Sequence, residues 1–271
     1  MASQNTVDRS LHQIIEDIFT DAEEIRVVNP SSETIAELVD VLDRVEVSSP
    51  VQVLAADDPL KEVMDDFLIA SVAADLIETG ILTVRILDDP PVHSLVITED
   101  RVVSIVTADD QSAGLGTDDS QFVRASTEYF ENNWETASEF TLRTPPLSRV
   151  RSSLATELGE ATVADFEAVL ESLEAARGNG NGLDEVTISL LVAAKNEQLL
   201  YDISKWGEDV GLASKATFSR TKTQLEDRGL IDTEKVPIDV GRPRLRLLLG
   251  TEELEEADSS ELAAVAMKHL N

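Results

Sequence analysis

The sequence predicts an α/β N-terminal domain, a mixed sheet with flanking helices, followed by a winged helix-turn-helix domain. Three observations lead there. Strand and helix patterns alternate across residues 24–107, the signature of a sheet covered by helices. Residues 183–250 run helix, helix, turn, helix, strand, turn, strand. Charge also divides the chain: residues 1–180 hold 11 basic and 36 acidic groups, whereas residues 181–250 hold 10 and 11.

The N-terminal elements follow in order. An opening helix is expected over 9–22, a strand over 24–29, a helix over 34–45 and a strand over 51–55. A long helix over 60–79 leads to a strand over 82–87 and a hairpin over 94–107 that turns at Glu99-Asp100. Three helical patterns then cover 122–137, 147–158 and 163–176, the first set apart by Thr144-Pro145-Pro146. The expected division is a sensor or dimerisation domain over 1–143, a helical connector over 144–177 and a linker at the Gly-Asn run 178–182. The winged helix-turn-helix over 183–250 and an acidic C-terminal segment with a helix, 251–271, complete it.

Within 183–250, Asp184 can cap a helix whose apolar stripe runs through Val186, Ile188, Leu190, Leu191 and Ala194. A second helix over 200–210 turns Ile203 and Trp206 inward, Gly211 and Leu212 form a tight turn, and Ser214 caps a third helix that ends near Gly229. Strands over 230–236 and 244–249 flank a turn that contains Gly241.

With 53 Asp plus Glu against 22 Lys plus Arg, the formal net charge is −31. That balance argues against nucleic acid except at molar salt, where screening confines repulsion to roughly 3 Å. Dense carboxylates and only 7 Lys beside 15 Arg point to a halophilic, haloarchaeal cytoplasmic protein. Against this background the stretch 211–225 has no acidic residue and contains Lys215, Arg220 and Lys222. A surface kept free of carboxylates suits a polyanion, here the major groove of promoter double-stranded DNA. The expected contacts are Ser214, Lys215, Thr217 and Arg220 on base edges and phosphates, Ser219 and Lys222 on the flank, and the wing's Arg242 and Arg244 on the backbone or minor groove.

The run YDISKWGEDVGLASKATFSRTKTQLEDRGLIDTEKVPIDVGRPRLRL, residues 201–247, resembles the winged-helix domain of haloarchaeal TbsP-type transcriptional regulators, proteins linked to the sugar-responsive regulator TrmB. The resemblance extends over the whole chain, since those proteins also place the winged helix after a larger N-terminal domain. It implies transcription control, of central carbon metabolism, with an N-terminal domain similar to the TrmB sensor, which is phospholipase D-like. It supplies no ligand.

One spacing bears on that N-terminal domain. His93, Leu95 and Asp100 fall where the phospholipase D signature H-x-K-x-x-x-x-D places His, Lys and Asp, and with Leu at the lysine position and a single copy, phosphodiester hydrolysis is not expected. His12 and His269 have no matching spacing. For a sugar or sugar-phosphate ligand, the strand-to-helix turn Asn29, Ser31, Ser32 and Thr34, with His93, offers amides and hydroxyls, although helix capping by Ser32 is the simpler account of the turn. The run Gly114-Leu115-Gly116-Thr117-Asp118-Asp119 lacks the Lys and spacing of a phosphate loop and is expected as a surface loop. Absence of Cys removes disulfides and thiolate metal sites; the Asp-Asp pairs are expected as solvated surface, so no metal, cofactor or catalytic group is assigned. The start lacks a signal peptide's pattern and no apolar run suits a membrane.

A winged helix reads one half-site, so a homodimer on a pseudo-palindrome is expected, joined through the helices within 122–176 or the C-terminal helix 260–270. The alternative is a winged-helix protein-interaction module in a transcription complex, which has no need of the three wing arginines 242, 244 and 246.

Overall fold

The computed structural model describes residues 6–20, 22–45, 49–108, 111–175, 183–238 and 241–270, in two compact units, Met1–Leu142 and Arg143–Asn271. The first unit is built on an eight-stranded mixed sheet that starts with β1 (Thr6–Arg9) at one edge and has the order β1-β7-β6-β5-β2-β3-β4-β8. Strands β2 (Ile25–Val28), β3 (Val51–Ala55) and β4 (Leu82–Ile86) run parallel. Antiparallel β5 (Leu95–Ile97), β6 (Val102–Ala108) and β7 (Gln111–Thr117) extend one side, and two-residue β8 (Ser138–Glu139) closes the other.

Adjacent strand residues point to opposite faces, and both faces are covered. Val27, Val53 and Val84 join a core with α1 (Leu11–Thr20), α2 (Ser32–Arg44), α3 (Asp57–Met64) and α4 (Phe67–Glu78). Val28, Leu54, Ile97 and Val102 form the second core, with Val123 and Phe130 of α5 (Ser120–Thr136).

Several expectations are corrected in this unit. The single helix over 60–79 is two helices, because Asp66 accepts hydrogen bonds from the Leu68 and Ile69 amides and restarts the chain as an N-cap. The opening helix begins later than expected, at Leu11, because β1 (Thr6–Arg9) pairs with β7. Residues 114–117 are not a loop: they lie in β7, with Gly114 opposite Ile105 of β6. The Asp109-Asp110 pair lies outside the described residues.

The second unit comprises α6 (Leu147–Leu158), α7 (Glu160–Ala175), α8 (Glu185–Lys195), α9 (Leu200–Val210), α10 (Lys215–Asp227), the hairpin β9 (Ile231–Val236) and β10 (Arg244–Leu249), α11 (Glu252–Glu256) and α12 (Ser259–Leu270). The two compact units divide between Leu142 and Arg143, and α6 and α7 lie in the second. The Gly-Asn run 178–182, expected as a linker, lies outside the described residues. Phe166, Val169 and Leu170 of α7 are buried, and α12 packs on that helix through Leu262, Ala263, Val265 and Ala266. The apolar face of α12, one candidate for a dimer contact, is therefore used within its own unit.

Polar bonds fasten the added helices to the winged core. The Trp206 indole donates to Ser153 Oγ at 2.9 Å, and Gln198 Nε2 donates to Leu158 O and Thr162 Oγ1, each at 3.2 Å. Asn196 Nδ2 donates to Asp165 Oδ2 at 2.6 Å, while Ser259 donates to the other Asp165 oxygen. Trp206 is 2 % exposed. Trp206→Phe should lower stability by about 1–2 kcal/mol, from the lost hydrogen bond and the smaller ring, in urea unfolding of the full chain.

Glu185, in the first turn of α8, has its carboxyl pushed up from the ordinary carboxylate range, chiefly by burial, with a backbone hydrogen bond opposing and Asp184 adding to the rise. A raised carboxyl means the folded state holds the proton more tightly than the unfolded chain. Stability from this group is present at acid pH and lost as pH rises through its folded value. Glu185→Gln should raise the midpoint of thermal unfolding at neutral pH and leave it unchanged in acid.

Candidate nucleic-acid interface

Helix α9 ends at Gly211, whose φ of 92° is left-handed, a conformation glycine adopts without strain. The Leu212 amide donates to Gly207 O at 2.8 Å, closing the turn. Ser214 then starts α10: its Oγ accepts from the Thr217 amide at 3.2 Å and lies 3.0 Å from Thr217 Oγ1. These two hydroxyls thus set where the helix begins. Phe218 and Leu225 are buried, which turns the face made by Ala216, Ser219, Arg220 and Thr223 outward. Arg220 is exposed and forms no ion pair with any described residue.

The remaining α10 cations are held by carboxylates. Lys215 Nζ stands 2.7 Å from Glu208 Oε2, and the Lys215 amide donates to Glu208 Oε1 at 3.4 Å, bridging the turn. The hydrogen bond from the Lys215 side chain holds the Glu208 carboxyl below the usual range, and the same bond raises the Lys215 ammonium. The pair is therefore charged on both sides from neutral pH down to the lowered carboxyl and up to the raised ammonium.

Lys222 does not lie on the outward face as the sequence suggested. It is buried, its Nζ donates to Glu226 Oε2 at 2.6 Å, and Glu226 Oε1 accepts from Thr233 Oγ1 of β9 at 2.8 Å. The physical reason is helical phase: position 222 is four after Phe218 and three before Leu225, so it shares their inward stripe. This network ties α10 to the wing. Lys222→Ala should cost roughly 1–2 kcal/mol of stability by stranding Glu226, read in urea unfolding; an unchanged midpoint would contradict the framework role.

The wing is a six-residue antiparallel ladder, from Arg244 opposite Val236 to Leu249 opposite Ile231. Leu199 adds an isolated bridge to Arg246, and the Leu247 amide donates to Gln198 O at 2.9 Å. Arg242 is exposed near the tip and forms no ion pair with any described residue. Arg244 instead lies 4.1 Å over the Tyr201 ring and 3.3 Å from Asp202 Oδ1, while Arg246 lies 3.5 Å from Glu234 and 3.7 Å from Glu197. Residues 239 and 240 of the tip lie outside the described residues.

Asn29, Ser31, Ser32 and Thr34, candidate ligand residues of the first unit, are engaged in local structure. Asn29 has a φ of 48°, and its Nδ2 donates to Pro91 O at 2.6 Å. Ser31, rather than Ser32, caps α2, accepting from the Thr34 amide at 3.2 Å; its hydroxyl lies 2.9 Å from that of buried Thr34. Ser32 donates to Glu62 Oε2 at 2.6 Å. His93 is exposed ahead of β5, whereas Asp100 lies in the turn after it and accepts from Thr98 Oγ1 at 2.9 Å. The two residues thus flank opposite ends of the strand, and Leu95 begins it.

A capped third helix whose outward face is free of acid from Ala216 through Thr223, packed across a turn from its predecessor and followed by a hairpin, defines a winged helix-turn-helix domain. The chain belongs to the TbsP-like transcriptional regulators: residues 146–267 match the model described as transcriptional regulator TbsP-like, C-terminal HTH domain, and residues 3–145 match the corresponding N-terminal model. No curated protein matches the chain. Among solved structures, TrmBL2, described as an archaeal chromatin protein with a novel mode of DNA binding, is 17% identical with a TM-score of 0.36; 50% of this chain and 54% of that one are covered, so the match spans about half of TrmBL2. NucT from Helicobacter pylori is 14% identical with a TM-score of 0.36, over 51% of this chain and 99% of that one. No helix among the described residues is long and apolar enough to cross a membrane.

Proposed function

We propose that this regulator binds promoter DNA sequence-specifically, with α10 in the major groove and Arg242 of the wing on the adjacent backbone. The observation that carries the reading is the outward face of α10, where Arg220, with no ion pair to any described residue, stands among Ala216, Ser219 and Thr223 in a chain of net charge −31. Arg220 supplies the base contact, Ser219 and Thr223 flank it, and Ser214 and Thr217 fix the helix start and offer their exposed edges to phosphate. Lys222 acts through the framework, and Arg244 through its stack on Tyr201. We propose two copies on a pseudo-palindrome, since one winged helix reads only a half-site. The acidic surface suits a cytoplasm of molar salt, and the regulated genes are those of central carbon metabolism. The metabolite-responsive arm of this reading belongs to the strand ends near Asn29 and His93. A thermal-shift screen of sugar phosphates in high salt tests it, because a ligand of the folded state raises its stability; no shift across the panel removes that arm.

Lys215 is poised for a phosphate but tied to Glu208, which also repels one. Glu208→Gln should therefore strengthen binding to a promoter fragment, roughly threefold at low salt and less in molar potassium chloride, where both the pair and the repulsion are screened. The measurement is fluorescence anisotropy with the full chain at both salt concentrations. Weaker binding by the variant would show that Glu208 orients Lys215 for the contact and would overturn the masking role.

A further inference from the structure

We propose that His12, Glu37 and Asp40 of the N-terminal unit form a binding site for a divalent transition-metal ion such as Zn²⁺, linking α1 to α2. The assignment is independent of the DNA reading. His12 lies in the first turn of α1, and Glu37 and Asp40, three residues apart, share one face of α2, which packs against α1. His12 Nδ1 is 2.6 Å from Glu37 Oε1 and 3.5 Å from Asp40 Oδ2, and one donor atom from each of the three residues fits within a mutual distance of 4.8 Å. Zinc bonds of about 2.0–2.2 Å place neighbouring tetrahedral ligands about 3.4 Å apart. The His12–Asp40 separation already matches that edge, and a small rotation of the Glu37 carboxylate opens the other.

The surroundings favour a defined geometry over a loose ionic cluster. Arg44 Nη2 holds Asp40 Oδ1 at 2.9 Å, leaving Oδ2 directed at His12, as an outer partner orients a ligating carboxylate. All three residues are half-buried, and beneath them Leu11, Ile15, Leu38 and Val41 are buried in the core, so the ligands stand on rigid elements. One imidazole and two carboxylates suit Zn²⁺, Co²⁺ or Mn²⁺, whereas Mg²⁺ and Ca²⁺ prefer oxygen alone. With three protein ligands, the remaining position falls to water. The imidazole distinguishes this site from the carboxylate pairs elsewhere on an acidic surface.

Cobalt tests the site directly. The full chain, in molar potassium chloride with excess Mg²⁺ to occupy carboxylate-only positions, is titrated with Co²⁺ and followed by visible d–d absorption. One equivalent should produce the band, Zn²⁺ should displace it, and both H12N and E37Q should abolish it while circular dichroism stays that of the wild type. Zn²⁺ should also raise the unfolding midpoint of wild type but not of H12N. A missing band, or one that persists unchanged in H12N and E37Q, overturns the site. Should H12N fail to fold, E37Q alone decides, since it keeps the imidazole and removes a ligand.

Discussion

Gly207→Ala should destabilise the C-terminal unit by about 3 kcal/mol, the upper part of the range for overpacking a closed core. A Cβ at position 207 would lie 2.3 Å from both Cε2 and Cζ of Phe218, whose side chain is wholly buried. The ring is enclosed where α10 packs against α9, so it can move aside only by displacing its neighbours. The sign makes the test sharp. In an open helix the same change would stabilise by about 1 kcal/mol through helix propensity. A fall in the urea midpoint confirms the close approach, and Gly207→Ala combined with Phe218→Leu should recover part of the loss; a rise would contradict the packing of the two helices.

Arg220→Ala should weaken binding to a cognate promoter fragment by about 2 kcal/mol, roughly thirty-fold, while leaving the unfolding midpoint within experimental error. Arg220 is exposed and unpaired among the described residues, so its removal opens no cavity and strands no buried charge. The loss should be greater on the cognate fragment than on unrelated DNA, because a base contact discriminates while a phosphate contact does not. A uniform loss on both would move Arg220 from base reading to backbone contact.

The helix-turn-helix was legible in sequence because each piece carries its own local signal. Asp184 and Ser214 are capping residues just before apolar stripes, Gly211 marks the left-handed turn, and the two runs 231–236 and 244–249 alternate around a glycine-containing turn. The N-terminal sheet was less legible at its edges. β1 pairs with β7 about a hundred residues away, and β7 contains two glycines whose strand conformation is imposed by β6 rather than by propensity. Within the candidate site, counting charges without helical phase placed Lys222 outside, although Phe218 and Leu225 define a stripe that includes it. The roles of Glu208 and Asp202 depend on partners seven and forty-two residues onward, Lys215 and Arg244, which composition does not reveal. Gly207 gave no signal because nothing local identifies the ring that faces it.

The central claim, that α10 reads DNA, is tested most directly by anisotropy titrations of one promoter fragment with wild type, Arg220→Ala and Glu208→Gln at fixed potassium chloride. The two substitutions should move affinity in opposite directions, weaker for Arg220→Ala and stronger for Glu208→Gln, with unchanged unfolding midpoints. Affinity identical in all three proteins would place the DNA contact elsewhere on the chain.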